Sequence, residues 1–441
     1  MMIDLVVIGA GSAGYVAAIK AAQLGKQVII IEKDKIGGTC LNKGCIPTKT
    51  LLHGAQLVKS QKHFETLGLQ GNITFDQHKM NDHKNNIVTK LSDGIQSLLT
   101  GNNITTIKGE AIIIDEHTVE VNKKLIKTDY ILLATGATTR KLPNTYSSDD
   151  ILDFGDKQFR EVVIIGGGVI GCELASLYSS LGTKVTILEA LPRLLSPFDK
   201  EVSQNLSMIF KRDGITVVTN VNNIKIDDHH ITYTHKDKEY TLECDAIISA
   251  IGRDAHEIKS KISITFDKRY LVNEHFQTSI PSIYAVGDCS STIQLAHMAS
   301  AQAQGAIEHM FNKSITIDYQ NVPSVVYTSP EIASVGQYNT SNPDYKVGKY
   351  TLNGHGYTLI HQQQRSFVKL VVDTKQQILV SATLMCDHAG DLITLLTHFI
   401  KDKRPISELK ELIYPHPSFV EAISEAIHQL DDTAIHIMPK K

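Results

Sequence analysis

Asp4-Leu5-Val6-Val7-Ile8-Gly9-Ala10-Gly11-Ser12-Ala13-Gly14 is a short apolar run that ends on three spaced glycines. Its unbroken aliphatic character predicts a parallel strand buried on both faces. The Ala-rich stretch after it predicts a helix to Leu24, closed by Gly25. Gln27-Val28-Ile29-Ile30-Ile31 then reads as the next strand, ending in Glu32. Gly9, Gly11 and Gly14 allow a tight turn and let the backbone approach a pyrophosphate at the helix N-terminus. Glu32 can accept from a ribose hydroxyl. Alone, such a glycine pattern is a weak signal. Set between strand, helix, strand and acid, it predicts a dinucleotide-binding unit.

The same device returns. Glu161-Val162-Val163-Ile164-Ile165 leads into Gly166-Gly167-Gly168-Val169-Ile170-Gly171, then a helix to Leu181, Gly182, and a strand Lys184–Leu188 ending in Glu189. Gly9 to Glu32 and Gly166 to Glu189 are both 23 positions. Each unit also closes on a later strand that begins with Asp and ends in glycine, Asp129 to Gly136 with Thr135 before it, and Asp245 to Gly252. Two unrelated turns would not reproduce both spacings, so the chain is expected to bind two dinucleotides through Gly9, Gly11, Gly14, Gly166, Gly168 and Gly171.

Between these units lies Gly37-Gly38-Thr39-Cys40-Leu41-Asn42-Lys43-Gly44-Cys45-Ile46-Pro47-Thr48-Lys49, followed by a helix-like run to Lys59. Thiols at a helix N-terminus feel a positive potential that favours the thiolate. On spacing alone the two cysteines could equally be half a metal site or ordinary buried residues, although no second close pair exists to complete a zinc site. Two dinucleotides with a cysteine pair imply an electron relay. A nicotinamide delivers two electrons as hydride, a disulfide accepts two, and a flavin can stand between them. The pair follows the first unit directly, so that unit is expected to hold FAD and the second NAD.

Composition narrows the class. The chain has 441 residues, room for about three domains. Its formal charge is −3 with no basic tail, which argues against nucleic acid. Six cysteines with one close pair are no secreted disulfide framework and fit a cytoplasmic protein. No apolar run is long enough to span a bilayer, and no resident metal is expected.

Gly37 to Lys49 resembles the redox signature of the flavin-dependent disulfide reductases, the class I pyridine nucleotide-disulfide oxidoreductases, and the likeness runs nearly end to end. It implies that Cys40 exchanges with substrate while Cys45 lies against the flavin. It also implies that Lys49 approaches the flavin and pairs with Glu173; without the family both would read as a solvated helix face. Ser282-Ile283-Tyr284-Ala285-Val286-Gly287-Asp288 resembles the segment that returns to the flavin, with Asp288 on the ribityl chain, and Thr39 and Ala296 join that cofactor set. Leu295-Ala296-His297 is most like the dihydrolipoamide dehydrogenase branch. Gly252-Arg253 resembles the family's closing turn but departs from the Pro-Asn that follows there, so little is carried over beyond Gly252. Cys172, Cys244, Cys289 and Cys386 lack close partners and read as packing residues.

Tyr414-Pro415-His416-Pro417-Ser418-Phe419-Val420-Glu421 carries two readings. Ser418 and Glu421 match a helix capping box. Thiol exchange, however, needs a base near neutral pH, and His-Pro-x-x-x-Glu is the family's catalytic pair, with Glu421 orienting His416. At Glu189 a carboxylate favours NAD and repels a 2′-phosphate. Arg193 nearby could reach a phosphate, or be a plain exposed loop arginine.

The expected fold is α/β: two Rossmann-like dinucleotide-binding domains and a C-terminal α+β dimerisation domain. Residues 1–141 form the first FAD-binding part, 142–260 the NAD-binding domain, 261–322 a segment returning to the FAD domain, and 323–441 the interface domain, with strands and two helices. Arg140 to Asp156 reads as a polar linker, Lys84 to Leu99 as an amphipathic helix, residues 112–121 as a hairpin, and His53, His63, His78 and His83 as surface residues. The resemblance implies a homodimer that passes electrons from a lipoyl-bearing protein to NAD. Alternatives are a stand-alone NAD(P)H-driven reductase of a small disulfide, metal ion or oxidant, and a non-catalytic nucleotide- and lipoyl-domain-binding subunit.

Overall fold

The computed structural model describes residues 3–152, 157–311 and 319–438. They divide into two compact units. The first takes the described residues to Val162, Ile226–His229, and those from Cys244 to Phe311; the second takes Val163–Lys225, His230–Glu243 and the described residues from Tyr319.

In the first unit, β1 (Ile3–Ile8) is flanked in parallel by β2 (Val28–Glu32) and by the far half of the strand Lys124–Leu133. Leu5, Val6 and Val7 have no solvent exposure, which is why this strand shows no polar alternation. α1 (Gly14–Gln23) buries Ala17, Ala18 and Ala21, small residues that let it lie close to the sheet. Thr105–Lys108 adds beyond β2, and Ile283–Ala285 returns in parallel against Ile131–Leu133. Lys124–Leu133 serves two partners, because its near half pairs antiparallel with Thr118–Val121, which itself pairs with Ala111–Asp115. That is the hairpin expected around residues 112–121.

Two expectations need correction. The helix read as Lys84–Leu99 runs from Gln77 to Gly101, started by the Asp76 carboxylate accepting from Lys79 N–H at 3.1 Å. Its first two turns are polar and carry no apolar period, so only the cap could have revealed them. The described part of the 140–156 linker is structured. Tyr146–Ser147 pairs in parallel with Ile248–Ser249, and Ser148–Ile151 is a helical turn on a full capping box. Ser147 Oγ accepts from Asp150 N–H at 3.1 Å and the Asp150 carboxylate accepts from Ser147 N–H at 2.8 Å. Residues 153–156 of that linker lie outside the described residues. Of the four histidines, His53, His78 and His83 are exposed and His63 is half-buried.

In the second unit, the helix Val169–Ser180 follows the second glycine loop, and Lys184–Leu188 pairs in parallel with Thr216–Val218. The C-terminal part is a five-stranded antiparallel sheet in the order Ser324–Val326, Ile332–Gly336, Ile378–Met385, Phe367–Asp373, Tyr345–Thr351. Ile393, Leu396 and Phe399 of one helix and Ala422, Ile423 and Ile427 of another share one core with this sheet. Four helices are described here rather than two. The extra pair, Gly356–Ile360 and Ile406–Glu411, are too short to carry a periodic pattern.

Candidate active site

α2 (Gly38–Lys43) and α3 (Cys45–Ser60) follow β2 and are broken from each other at Gly44. A Cβ there would stand 3.1 Å from Thr39 O, so glycine lets the chain fold back on itself. Cys40 in α2 and Cys45 at the start of α3 are thereby brought to a Cα separation of 4.7 Å and joined as a disulfide. The first glycine loop holds this stretch directly. Gly37, at φ +97°, donates its N–H to Ala10 O at 2.8 Å, and a Cβ on Gly38 would come within 2.5 Å of Gly11 Cα. The sulfur pair is therefore fixed against the first glycine loop. Lys49 lies four residues after Cys45, on the same face of α3, and is half-buried.

Neither α1 nor the helix Val169–Ser180 has a side-chain cap, so their first N–H groups are not spent on a capping residue. Gly14 and Gly171 are needed for close packing, since a Cβ would reach 1.8 Å from Gly9 O and 1.9 Å from Gly166 O respectively. At Gly168 a Cβ meets nothing within 4 Å, leaving the room that a pyrophosphate would take. Glu32 accepts from Ala10 N–H at 2.6 Å and from Asp34 N–H at 2.7 Å. Glu189 repeats the arrangement with Gly167 N–H and Leu191 N–H. Both carboxylates are thus fixed at the loop edge with lone pairs to spare. Thr135 Oγ1 donates to His256 O at 2.8 Å, and Gly136 O accepts from His256 N–H at 2.9 Å. Asp288 follows the returning strand; burial pushes its carboxyl up, opposed by the Arg253 guanidinium. Its carboxylate takes no hydrogen bond among the described residues, so a ribityl hydroxyl would supply the missing donor. Ala296 is the first residue of the helix Ala296–Met310. These residues fit two dinucleotides.

Glu173 is buried and accepts from Tyr327 N–H at 3.0 Å. Lys49 belongs to the first unit and Glu173 to the second. Arg193 is not an exposed loop residue: its guanidinium donates to Phe198 O at 2.7 Å, Ser196 O at 2.6 Å and Ser203 Oγ at 3.1 Å. It is occupied in bracing its own loop. Arg253, passed over in the sequence, proves central to the first unit. It donates to Asp149 at 3.1 Å, Ala137 O at 2.9 Å and Thr39 Oγ1 at 3.4 Å, next to Cys40. Gly252 before it takes φ +102°.

His416 and Glu421 come together: His416 Nδ1 lies 2.8 Å from Glu421 Oε2. The His416–Pro417 peptide is cis. Only half of the capping box forms. Ser418 N–H donates to Glu421 Oε1 at 3.3 Å, but Ser418 Oγ donates to Pro415 O instead of capping the helix Glu421–His428. Burial alone would raise the Glu421 carboxyl; the bonds from His416 and Ser418 N–H outweigh it and hold the group below the ordinary range. His416 is 78% exposed, so its Nε2 edge is open to an incoming group. A second histidine that the sequence reading missed, His355, places Nε2 3.1 Å from Glu421 Oε1.

Two nucleotide loops, a disulfide against the first and a separate dimer-type sheet define a class, and comparison agrees. The chain belongs to the pyridine nucleotide-disulphide oxidoreductases, whose family model matches residues 3–303 and whose dimerisation domain matches residues 322–427. Members of this family use FAD and NAD, and the chain is an NAD-dependent flavoprotein disulfide reductase, a homodimer by its dimerisation domain. Among particular proteins, it is 35% identical to the dihydrolipoyl dehydrogenase of Geobacillus stearothermophilus, over 99% of this chain and 98% of the relative. It is 34% identical to the dihydrolipoyl dehydrogenase of Bacillus subtilis (strain 168), over 98% and 99%. Among solved structures, the Cu(II) complex of the HOCl-induced flavoprotein disulfide reductase RclA from Escherichia coli superposes with a TM-score of 0.86 at 27% identity, covering 97% of this chain and 99% of that one. No helix among the described residues is long and apolar enough to cross a membrane.

Proposed function

We propose that the protein is a cytoplasmic dihydrolipoyl dehydrogenase, oxidising the dithiol of a lipoyl-bearing protein and reducing NAD. The observation that carries this reading is the Cys40–Cys45 disulfide held on the first nucleotide loop by the Gly37–Ala10 bond. The names of the full-length relatives support the substrate class. In this reading residues 1–141 and 261–322 carry FAD, 142–260 carry NAD, and 323–441 form the dimer.

His416 Nε2 takes the proton of the first substrate thiol, its Nδ1–H staying on Glu421. The substrate thiolate attacks Cys40 Sγ, the Cys40–Cys45 bond breaks, and Cys45 leaves as a thiolate at the start of α3, where the helix favours negative charge. The second substrate thiol then attacks the substrate sulfur joined to Cys40. Cys40 leaves with that proton, and the substrate departs as a disulfide. Two electrons now reside on the cysteine pair. The chemistry FAD would supply when bound is a two-electron relay from this pair to NAD. Gly9, Gly11, Gly14, Glu32, Thr39, Thr135, Gly136, Asp288 and Ala296 would hold FAD, with Lys49 beside it. Gly166, Gly168, Gly171, Glu189 and Gly252 would hold NAD.

Steady-state assays of the purified holoenzyme test this. Dihydrolipoamide with NAD is expected to give the highest kcat/KM, against glutathione disulfide with NADPH and Cu(II) with NADH. Because Glu189 is expected to repel a 2′-phosphate, NAD should exceed NADP at least about tenfold in kcat/KM, about 1.4 kcal/mol. Preferred turnover of glutathione disulfide or Cu(II) would replace the proposal with the stand-alone reductase reading.

A further inference from the structure

His355 and Glu421 are 66 positions apart in the chain, yet their side chains meet at 3.1 Å. We propose that His355 is a positioning residue for the proton-accepting pair: a neutral imidazole whose Nε2–H holds one oxygen of Glu421, leaving the other to His416. This rests on the dithiol-oxidising reading above.

The argument begins with the backbone. His355 precedes the short helix Gly356–Ile360 as its N-cap, and its Nδ1 accepts from Thr358 N–H at 3.3 Å. A ring nitrogen that accepts from a backbone N–H carries no proton. The ring proton must then sit on Nε2, the nitrogen that faces Glu421. Thr358 Oγ1, 2.9 Å from the same Nδ1, can add a second donation. Burial lowers the ring's proton affinity, outweighing the neighbouring Glu421 carboxylate, so the ring stays neutral. The ring is also fixed sideways, with its centroid 6.1 Å from both Tyr350 and Phe419.

Glu421 is thereby divided. Oε1 takes His355 Nε2–H and Ser418 N–H, while Oε2 is left for His416 Nδ1. A free carboxylate would rotate and present either oxygen to solvent. Tied at Oε1, it gives His416 one orientation, with Nε2 outward. The two histidines differ accordingly in exposure: the His355 side chain is 5% exposed and the His416 side chain 78%. The buried ring orients, and the exposed ring exchanges protons.

Two substitutions separate orientation from packing. His355→Leu fills the space without a donor, and His355→Gln restores an N–H at the Nε2 position. With dihydrolipoamide and NAD, His355→Leu is expected to lower kcat about tenfold, the rate equivalent of one hydrogen bond to a charged acceptor, with KM little changed. His355→Gln should recover most of that loss. Stopped-flow reduction of the bound flavin by NADH, which needs no proton relay to substrate, should match wild type in both. A wild-type rate in His355→Leu, an equal loss in the flavin reduction step, or no recovery in His355→Gln would overturn the assignment. If His355→Leu does not fold, nitrogen-15 NMR of histidine-labelled wild type decides. A neutral Nε2–H ring at His355 supports the proposal, and an Nδ1–H or charged ring overturns it. His416→Ala separates this inference from its parent. Normal dithiol turnover in that variant would sink the assignment of His416 as the base on which this inference rests. Loss there beside a normal His355→Leu would sink only the positioning role, and a wild-type enzyme that does not turn over dihydrolipoamide with NAD would sink the functional proposal itself.

Discussion

Cys40 and Cys45 share a bond but not an environment. Cys40 lies within α2, whereas Cys45 opens α3, where unpaired N–H groups stabilise a thiolate. The reduced enzyme is therefore expected to keep its charge on Cys45, which the functional reading sets against the flavin. Two-electron reduction of the yellow holoenzyme should produce a long-wavelength absorbance from that thiolate. Cys45→Ser should abolish it and Cys40→Ser should retain it, and the reverse pattern would exchange the two roles. At this scale the sequence is informative wherever a contact is local. Cys40 with Cys45 and His416 with Glu421 are each five positions apart, so a spacing rule finds both. Arg253 meets Asp149, Ala137 and Thr39 at separations of 104, 116 and 214, which no spacing rule reaches. His355 escaped for the same reason.

Elements were legible where the backbone has only one solution. The glycine loops demand glycine because a Cβ at Gly14 or Gly171 would overlap a carbonyl oxygen, and so they announce themselves. The helix Lys200–Arg212 announces less of its role. Asp199 caps it by accepting from Glu201 N–H at 2.8 Å, and the same carboxylate binds Lys369 Nζ at 3.0 Å. Glu201 binds Lys369 at 2.8 Å and also Lys349, so a helix start is tied to two neighbouring strands. Burial would raise both carboxyls; backbone and lysine bonds outweigh it and depress them. Burial would lower Lys369; the two acids outweigh it and raise it. Carboxyls depressed by folding contribute stability above about pH 4 that is lost as pH falls through their folded values. The raised lysine contributes below about pH 10 and loses it as pH rises. Lys369→Met leaves two acids with one cation and should cost about 2 kcal/mol at neutral pH, between exposed and buried pairs. Thermal melts of the holoenzyme should show a lower Tm at pH 7 that converges on wild type in acid; an unchanged pH 7 melt would mean the network is inert.

For the whole molecule, the repeated strand–glycine–helix–strand pattern and the closing Asp-to-glycine strands made two nucleotide units readable. The return of Ile283–Ala285 to the first sheet was readable from its family likeness. The structured turn at Ser147 was not, because a four-residue helix carries no period. The family resemblance implies, as an expectation, that each site takes its base from the partner subunit, and this leads to a complementation prediction. Cys45→Ser and His416→Ala should each be inactive with dithiol. Refolded mixtures should regain activity in proportion to heterodimer, up to about half the wild-type rate per dimer, because one site then holds both wild-type residues. Inactive heterodimers beside recovered wild type would place His416 in service of its own chain.

Cys172, Cys244, Cys289 and Cys386 are buried cysteines outside the disulfide, and burial raises the thiols of Cys172, Cys289 and Cys386. A thiol raised this way holds its proton and reacts slowly with alkylating agents. The folded chain thus carries one fast-reacting sulfur pair against a silent background. Counting rapidly alkylated sulfhydryls per subunit becomes a gauge of oxidation state: none in the resting enzyme, and two after a reductant has passed one electron pair.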